Sequence, residues 1–248
     1  MNILKILFLS APLTFSCTSP DIDLASINTN VETHEVGLFS SEVTELSRNS
    51  AVKVKVRDKE GNIARGSGTL FKLRRHHLVI TASHLFMQNP GEIFVSEALI
   101  ISPQEKVIGT LVYFDEVADI AIFATPNLES RVAAPFNIAP KYKVGDKTVY
   151  SGFPGANNLL TLQGVLAGKG YGSDLAMQSF AWGGSSGSGI FNEHGEFVGV
   201  LVSIMIGRSY PFTQLVPDVV YVAPGVTIDK KLVLSNLKHF AEVNNDGF

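Results

Sequence analysis

From Val52 onward the chain is a succession of short apolar or alternating runs cut by turn residues, and until its last segment no run carries a helical period. Val52, Val54 and Val56 alternate with Lys53, Lys55 and Arg57, a period of two that gives a strand one apolar and one charged face. Asp58-Lys59-Glu60-Gly61-Asn62 reads as the turn that follows. Comparable runs occupy 68–72, 78–81, 93–101, 107–114, 120–124, 148–152, 160–167 and 196–204. Many short strands at this spacing predict antiparallel barrels or a sandwich, and the pattern alone leaves both open. Arg74-Arg75-His76-His77 is the densest basic cluster and reads as a polar turn before an apolar strand. Val233, Leu237, Phe240 and Ala241 then recur at helical spacing, with Thr227 and Asp229 as a start signal, so a C-terminal helix is expected over 228–243.

The remainder of the chain belongs to its start. Lys5 precedes an apolar run from Ile6 to Leu9 that continues loosely to Phe15, too short for a helix spanning a bilayer, which needs roughly 20 apolar residues. Residues 1–16 therefore read as a signal peptide. The single cysteine, Cys17, stands where that run ends, after Leu13-Thr14-Phe15-Ser16. This is similar to a bacterial lipobox, whose cysteine takes the lipid, although Thr14 and Phe15 depart from that pattern and plain cleavage at a nearby small residue is the alternative. The expected location is extracytoplasmic: a periplasmic or outer-membrane-anchored lipoprotein, otherwise a secreted protein. Residues 17–46 are rich in Ser, Thr, Asn, Asp and Glu and suit a tether or loosely docked arm, with the folded domain over 47–248. With no thiol after residue 17, a cysteine nucleophile, a disulfide framework and cysteine-bound zinc are excluded. The net charge of −3 and the scattered basic residues give no nucleic-acid footprint. His76, His77, His194 and His239 lack metal-ligand spacing, and neither a metal nor a cofactor is expected.

Chemistry concentrates in Gly183-Gly184-Ser185-Ser186-Gly187-Ser188-Gly189. A serine hydroxyl needs a positioned base to become a nucleophile, and glycines let the backbone bend and present N–H groups to an oxyanion. Alone, such a segment is also what a flexible loop looks like. It is accompanied by Thr81-Ala82-Ser83-His84 after the apolar Leu78-Val79-Ile80, and by Ala118-Asp119-Ile120-Ala121-Ile122, in the order His, Asp, Ser. These segments resemble those of trypsin-like serine peptidases, most closely the bacterial branch of high-temperature-requirement proteases and glutamyl endopeptidases. Gly66-Ser67-Gly68-Thr69-Leu70-Phe71, Val144-Gly145-Asp146 with Tyr150-Ser151-Gly152-Phe153-Pro154-Gly155, and Gly195-Glu196-Phe197-Val198-Gly199-Val200 extend the resemblance over most of 51–205.

The resemblance implies an all-β chymotrypsin-like fold, two six-stranded antiparallel barrels with the site between them, and a serine endopeptidase acting on protein or peptide substrates. It assigns Ser186 as nucleophile, His84 as general base, Asp119 as the group that orients the imidazole, and the N–H groups of Gly184 and Ser186 as the oxyanion hole. Phe180 corresponds to the base of the acyl-side pocket, with Leu201, Val202, Ser203 and Ile204 as its walls, which implies a shallow apolar pocket for small or medium aliphatic residues. Ser188 and Gly189 stand where the family has glycine and proline. Ser185 replaces the aspartate with which the digestive enzymes bind a new N-terminus, so activation by that ion pair is not expected. Trp182 reads as a packed core or cleft-wall residue, and the chain after Ile228 is too short for a further peptide-binding module. The rival reading is a catalytically silent homologue that binds peptides as a lipoprotein; such proteins usually lose a triad member, and all three are present here. An esterase with a Gly-x-Ser-x-Gly elbow is disfavoured because its histidine would follow its serine.

Overall fold

The computed structural model describes residues 41–57, 61–89, 92–93, 96–156, 158–209 and 212–245. The expected signal peptide, Cys17 and residues 17–40 lie outside them. Helix α1 (Ser41–Ser50) leads into β1 (Ala51–Arg57), β2 (Ile63–Leu73), β3 (His76–Thr81), the short pair β4 (Met87–Asn89) and β5 (Glu92–Ile93), then β6 (Glu97–Ile101), β7 (Lys106–Asp115), β8 (Ile120–Thr125) and β9 (Ala134–Pro135). The second half holds β10 (Lys147–Gly152), β11 (Leu160–Lys169), β12 (Leu175–Gln178), β13 (Gly189–Asn192), β14 (Phe197–Ser209), β15 (Phe212–Pro224) and helix α2 (Lys230–Asn245).

The strands form two closed six-stranded antiparallel barrels, as the resemblance implies. In the first, the order β1-β6-β7-β8-β3-β2 is closed by pairing of β1 with β2, and β9 is added parallel to β2. In the second, β10-β11-β12-β15-β14-β13 form a ring. The alternation on β1 works as expected: Val52, Val54 and Val56 are buried inside barrel 1 with Leu70, Val79, Phe86 and Phe123. Tyr150, Met177, Ile190, Val198 and Val222 fill barrel 2. A third apolar layer joins the two. Leu78 and Ile80 turn away from the interior of barrel 1, and Phe71 meets Phe136, Phe191 and Phe197 at ring-centre distances of 5.5, 5.9 and 4.8 Å. Strand β3 is thus buried on both faces, which is why it reads as a continuous apolar run instead of an alternating one.

Several boundaries differ from expectation. Residues 41–46, assigned to the tether, are the first part of α1; its Val43 is buried, Ser47 Oγ donates to Ser151 Oγ at 2.9 Å and Arg48 Nη1 to Thr161 Oγ1 at 2.7 Å. The basic cluster splits, with Arg74 and Arg75 in the turn and both histidines already in β3. The run over 93–101 is two separate strands, β5 and β6. Helix α2 starts at Lys230 instead of residue 228, where the Asp229 carboxylate caps the N–H groups of Lys231 and Leu232 at 2.9 and 3.1 Å. Its Val233 and Leu237 are buried, and Asn236 Nδ2 bonds the Val112 carbonyl on β7 at 2.8 Å.

Candidate active site

Barrel 1 carries His84 and Asp119 on tight turns at the ends of β3 and β7. After Thr81 the chain stays extended at Ala82 and then makes one 3-10 turn, Ser83–Phe86. Leu85 and Phe86 of that turn are buried in the barrel 1 core, which leaves the His84 side chain 43% exposed. Asp119 adopts a left-handed conformation, φ 55°, at the end of the turn between β7 and β8; aspartate tolerates this better than most side chains. The Asp115 carboxylate holds the turn by accepting from Ala118 N at 2.9 Å. The Asp119 carboxylate in turn accepts three bonds: from His84 Nδ1 at 2.7 Å, His84 N at 2.8 Å and Ser83 Oγ at 3.0 Å. A carboxylate only accepts, so Nδ1 carries the ring proton and Nε2 of a neutral ring keeps its lone pair facing outward.

Ser186 sits on the loop before β13, and both barrels anchor that loop: Gly187 N donates to the Leu201 carbonyl of β14 at 2.8 Å and Leu201 N to the Ser188 carbonyl at 2.9 Å, and β2 of barrel 1 supplies further bonds. Ser67 on β2 is wholly buried; its N donates to the Ser186 carbonyl at 2.8 Å and its Oγ to the Gly184 carbonyl at 2.7 Å, while Phe153 N donates to that Oγ at 2.9 Å. Thr81 Oγ1 donates to the Ser67 carbonyl at 2.7 Å, and Gly189 N to Thr69 Oγ1 at 2.8 Å. The approach is so close that Gly187, at φ 92°, has no room for a side chain: a Cβ there would lie 2.0 Å from the Ser67 carbonyl oxygen. Ser185 and Ser188 are completely buried, whereas Ser186 keeps partial exposure. Among the described residues, the N–H groups of Gly184 and Ser186 donate to no protein acceptor, and no hydrogen bond joins Ser186 Oγ to His84 Nε2.

The trypsin-like peptidase domain family matches residues 66–200, which is more than half of the chain and includes all three residues. The chain belongs to that family. It is a serine-type peptidase domain, and its fold is shared with solved proteases of low sequence identity. The active form of the Rv3671c protease of M. tuberculosis is 18% identical, with a TM-score of 0.59 over 74% of this chain and 79% of that one. A serine endoprotease of Yersinia pestis is 18% identical, with a TM-score of 0.61 over 78% of this chain and 66% of its own. The HtrA-type protease AlgW with a bound tripeptide is 13% identical, with a TM-score of 0.59 over 75% of this chain and 59% of its own. No curated protein matches the chain.

Within the peptidase domain the expected acyl-side pocket is less enclosed than its sequence suggests. Leu201 and Val202 are both buried, Ser203 is exposed and Ile204 half-buried; the β14–β15 register shifts between Leu201 and Ser203, which breaks the alternation. Phe180, expected at the floor, is 48% exposed, and Trp182 is 51% exposed, so neither is a packed core side chain. The buried group beneath them is Tyr150 of β10. Its hydroxyl donates to the Phe180 carbonyl and also bonds Ser185, and burial raises its pKa well above the ordinary tyrosine value. Ser185 Oγ further accepts from Trp182 N at 3.3 Å. Neutral hydrogen bonds thus occupy the place where the digestive enzymes use an aspartate.

Nothing in the local sequence marks Ser67 or Tyr150 for these contacts. Both lie in segments that carry the family resemblance, but their bonding partners are distant in the chain.

Proposed function

We propose that the domain is an endopeptidase that works through an acyl-enzyme on Ser186. The observation that carries the proposal is the His84 Nδ1–Asp119 Oδ2 contact of 2.7 Å, found together with a solvent-reaching Ser186 and two unengaged N–H groups beside it. His84 Nε2 takes the Ser186 proton as Oγ attacks the scissile carbonyl. Asp119 holds the imidazole in the tautomer that permits this and stabilises the imidazolium that results. Gly184 N–H and Ser186 N–H receive the oxyanion. The imidazolium then protonates the leaving amine, and water, activated by the same nitrogen, releases the acyl group. The bond between Ser186 and His84 forms as substrate docks, since catalytic hydrogen bonds are often long in free enzymes.

The choice of Ser186 is supported by the burial of Ser185 and Ser188, neither of which a substrate carbonyl could reach without opening the loop. The half-exposed apolar side chain of Phe180 supports a preference for apolar residues on the acyl side. A fluorophosphonate probe should label the parent protein, and Ser186→Ala should remove both labelling and peptide hydrolysis, a loss of several orders of magnitude. Retained hydrolysis, or loss through Ser185→Ala instead, would overturn the assignment. An unlabelled parent that still bound peptide would favour the silent-homologue reading.

The lone Cys17 at the end of an apolar segment supports an extracytoplasmic domain tethered by an N-terminal lipid. Membrane fractionation of the parent and of Cys17→Ser tests it: the variant should appear in the soluble fraction, and unchanged membrane association would remove the lipid assignment.

A further inference from the structure

Strand β1 separates two faces. Its valines fill barrel 1, and its charged residues point the other way, as the two-residue period of a strand requires. Across the ladder Lys53 stands opposite Ser67, and Lys55 stands opposite Arg65. Directly opposed residues of an antiparallel pair project to the same side of the sheet, so Lys53, Lys55 and Arg65 share a face with the Ser67 side chain. That side chain reaches the Gly184 carbonyl at 2.7 Å, which aims the whole face at the nucleophile loop. Lys53 Nζ lies 5.0 Å above the ring centre of Phe153, the residue whose N–H bonds Ser67 Oγ. Lys53, Lys55 and Arg65 line one cleft of about 200 Å³ with Gly66, Phe153 and Gly184.

Two like charges crowd this cleft. Lys55 and Arg65 are like charges placed directly across a ladder, an arrangement that costs stability. Among the described residues neither forms an ion pair; Glu97 shares a neighbouring cleft with Lys55 and Arg57 but pairs with neither. The position relative to the reacting atoms fixes what could neutralise them. The acyl-side walls, Leu201 to Ile204, belong to β14 of barrel 2, so a peptide seated there passes Ser186 and continues over barrel 1. Gly66 is the threshold: it lines the cleft with Gly184 and precedes Ser67, whose N bonds the Ser186 carbonyl at 2.8 Å. Beyond this threshold lie the three cations.

We propose that Lys53, Lys55 and Arg65 form a subsite for an acidic side chain on the leaving-group side of the scissile bond, within the first residues after the cut. The inference rests on the peptidase reading above and adds a substrate class to it. A glutamate or aspartate there would find two or three cations in a partly enclosed cleft, where Coulomb attraction is less screened than on an open surface.

Internally quenched peptides that differ only in carrying Glu, Gln or Lys at the first or second residue after the cut test this. The parent should cleave the Glu peptide about three- to tenfold better, in kcat/KM, than the Gln peptide, as expected from two or three partly exposed ion pairs. The Lys peptide should be the poorest, and the Glu:Gln ratio should shrink as salt is raised. The ratio should fall to unity in Lys55→Gln/Arg65→Gln and invert in favour of Lys in Lys55→Glu/Arg65→Glu. Because it is taken within one enzyme, it does not depend on how much total activity each variant keeps. Equal cleavage of the Glu and Gln peptides by a parent that labels with fluorophosphonate, or a ratio that survives the double substitution, overturns the subsite alone. Absence of labelling and cleavage overturns the peptidase reading. Binding of the same peptides to Ser186→Ala then decides the subsite without catalysis, equal affinities counting against it.

Discussion

The two barrels contribute to the site in different ways. Barrel 1 builds its share from side chains: one carboxylate collects three hydrogen bonds, two of them from His84 and one from the neighbouring Ser83. Barrel 2 contributes a loop held through its main chain, and much of what holds it is supplied by the other barrel, through Ser67 and Thr69 of β2. The proposed acid–base pair is therefore assembled within one barrel, whereas the position of Ser186 is a property of the interface. Damage to barrel 1 can act on both halves of the chemistry. Damage within barrel 2 should act on the nucleophile alone.

The sharpest test of the first half is Asp119→Asn. The amide oxygen can still accept from His84 N and Ser83 Oγ, so the turn should keep its shape. Its NH2 group, placed against His84 Nδ1, favours the opposite tautomer and leaves Nε2 unable to accept the Ser186 proton. Peptide hydrolysis should fall about 10³- to 10⁴-fold, with the denaturation midpoint changing little. A loss under tenfold would mean that Asp119 does not orient the base.

Ser67→Ala tests the interface. It removes the Oγ that donates to the Gly184 carbonyl and accepts from Phe153 N, leaving two polar groups short of a partner at a cost of roughly 1–3 kcal/mol. Because the Gly184 carbonyl belongs to the loop that carries the N–H groups proposed to bind the oxyanion, fluorophosphonate labelling should slow about tenfold, a difference of roughly 1.4 kcal/mol. The low-field proton resonance of His84 Nδ1 should stay in place, since none of its partners is touched. Movement of that resonance would show that the two halves are coupled more tightly than the hydrogen bonds indicate.

The same division explains what could be read from the sequence. The candidates His84, Asp119 and Ser186 stand out in the sequence because each lies in a short segment whose neighbours are dictated locally: a buried strand before His84, a turn at Asp119, glycines that permit close backbone approach around Ser186. Strand β15 does not, because Pro217 and Asp218 look like a turn. The structure accommodates them where the pairing with β14 slips, Ile204 opposing Val220 but Met205 opposing Val216, so no ladder bond is asked of the proline. Helix α1 was not evident because only Val43 and Leu46 among its ten residues are apolar, too few to set a period; those two pack on the core, and Ser47 and Arg48 complete the docking through hydroxyl and guanidinium bonds that leave no mark in a hydrophobic pattern. The contacts of Ser67 and Tyr150 with the nucleophile segment bridge 117 and 30 positions, and no local pattern encodes them.

The smallest expected effect isolates barrel 2. Ser188 lies two positions after Ser186, where the family has glycine, and it is completely buried with no hydrogen-bond partner for its Oγ among the described residues. It is accommodated because Gly152 faces it: a Cβ on Gly152 would lie 2.2 Å from Ser188 Oγ. A buried hydroxyl without a partner costs about 1–3 kcal/mol in lost hydration. Ser188→Ala removes that hydroxyl while keeping the Cβ packing, and should therefore raise stability by about 1 kcal/mol, or roughly 2–4 °C in Tm for a domain of this size. Ser188→Gly should gain less, because it adds backbone freedom in the unfolded chain. Neither change touches Ser67, Thr69 or the His84–Asp119 pair, so labelling of Ser186 should stay within twofold of the parent. Thermal denaturation of the two variants beside the parent reads the stability, and a fall in Tm for Ser188→Ala would show that the hydroxyl is satisfied in solution. A large change in labelling would show that barrel 2 sets the position of its nucleophile from within, against the division of labour drawn above.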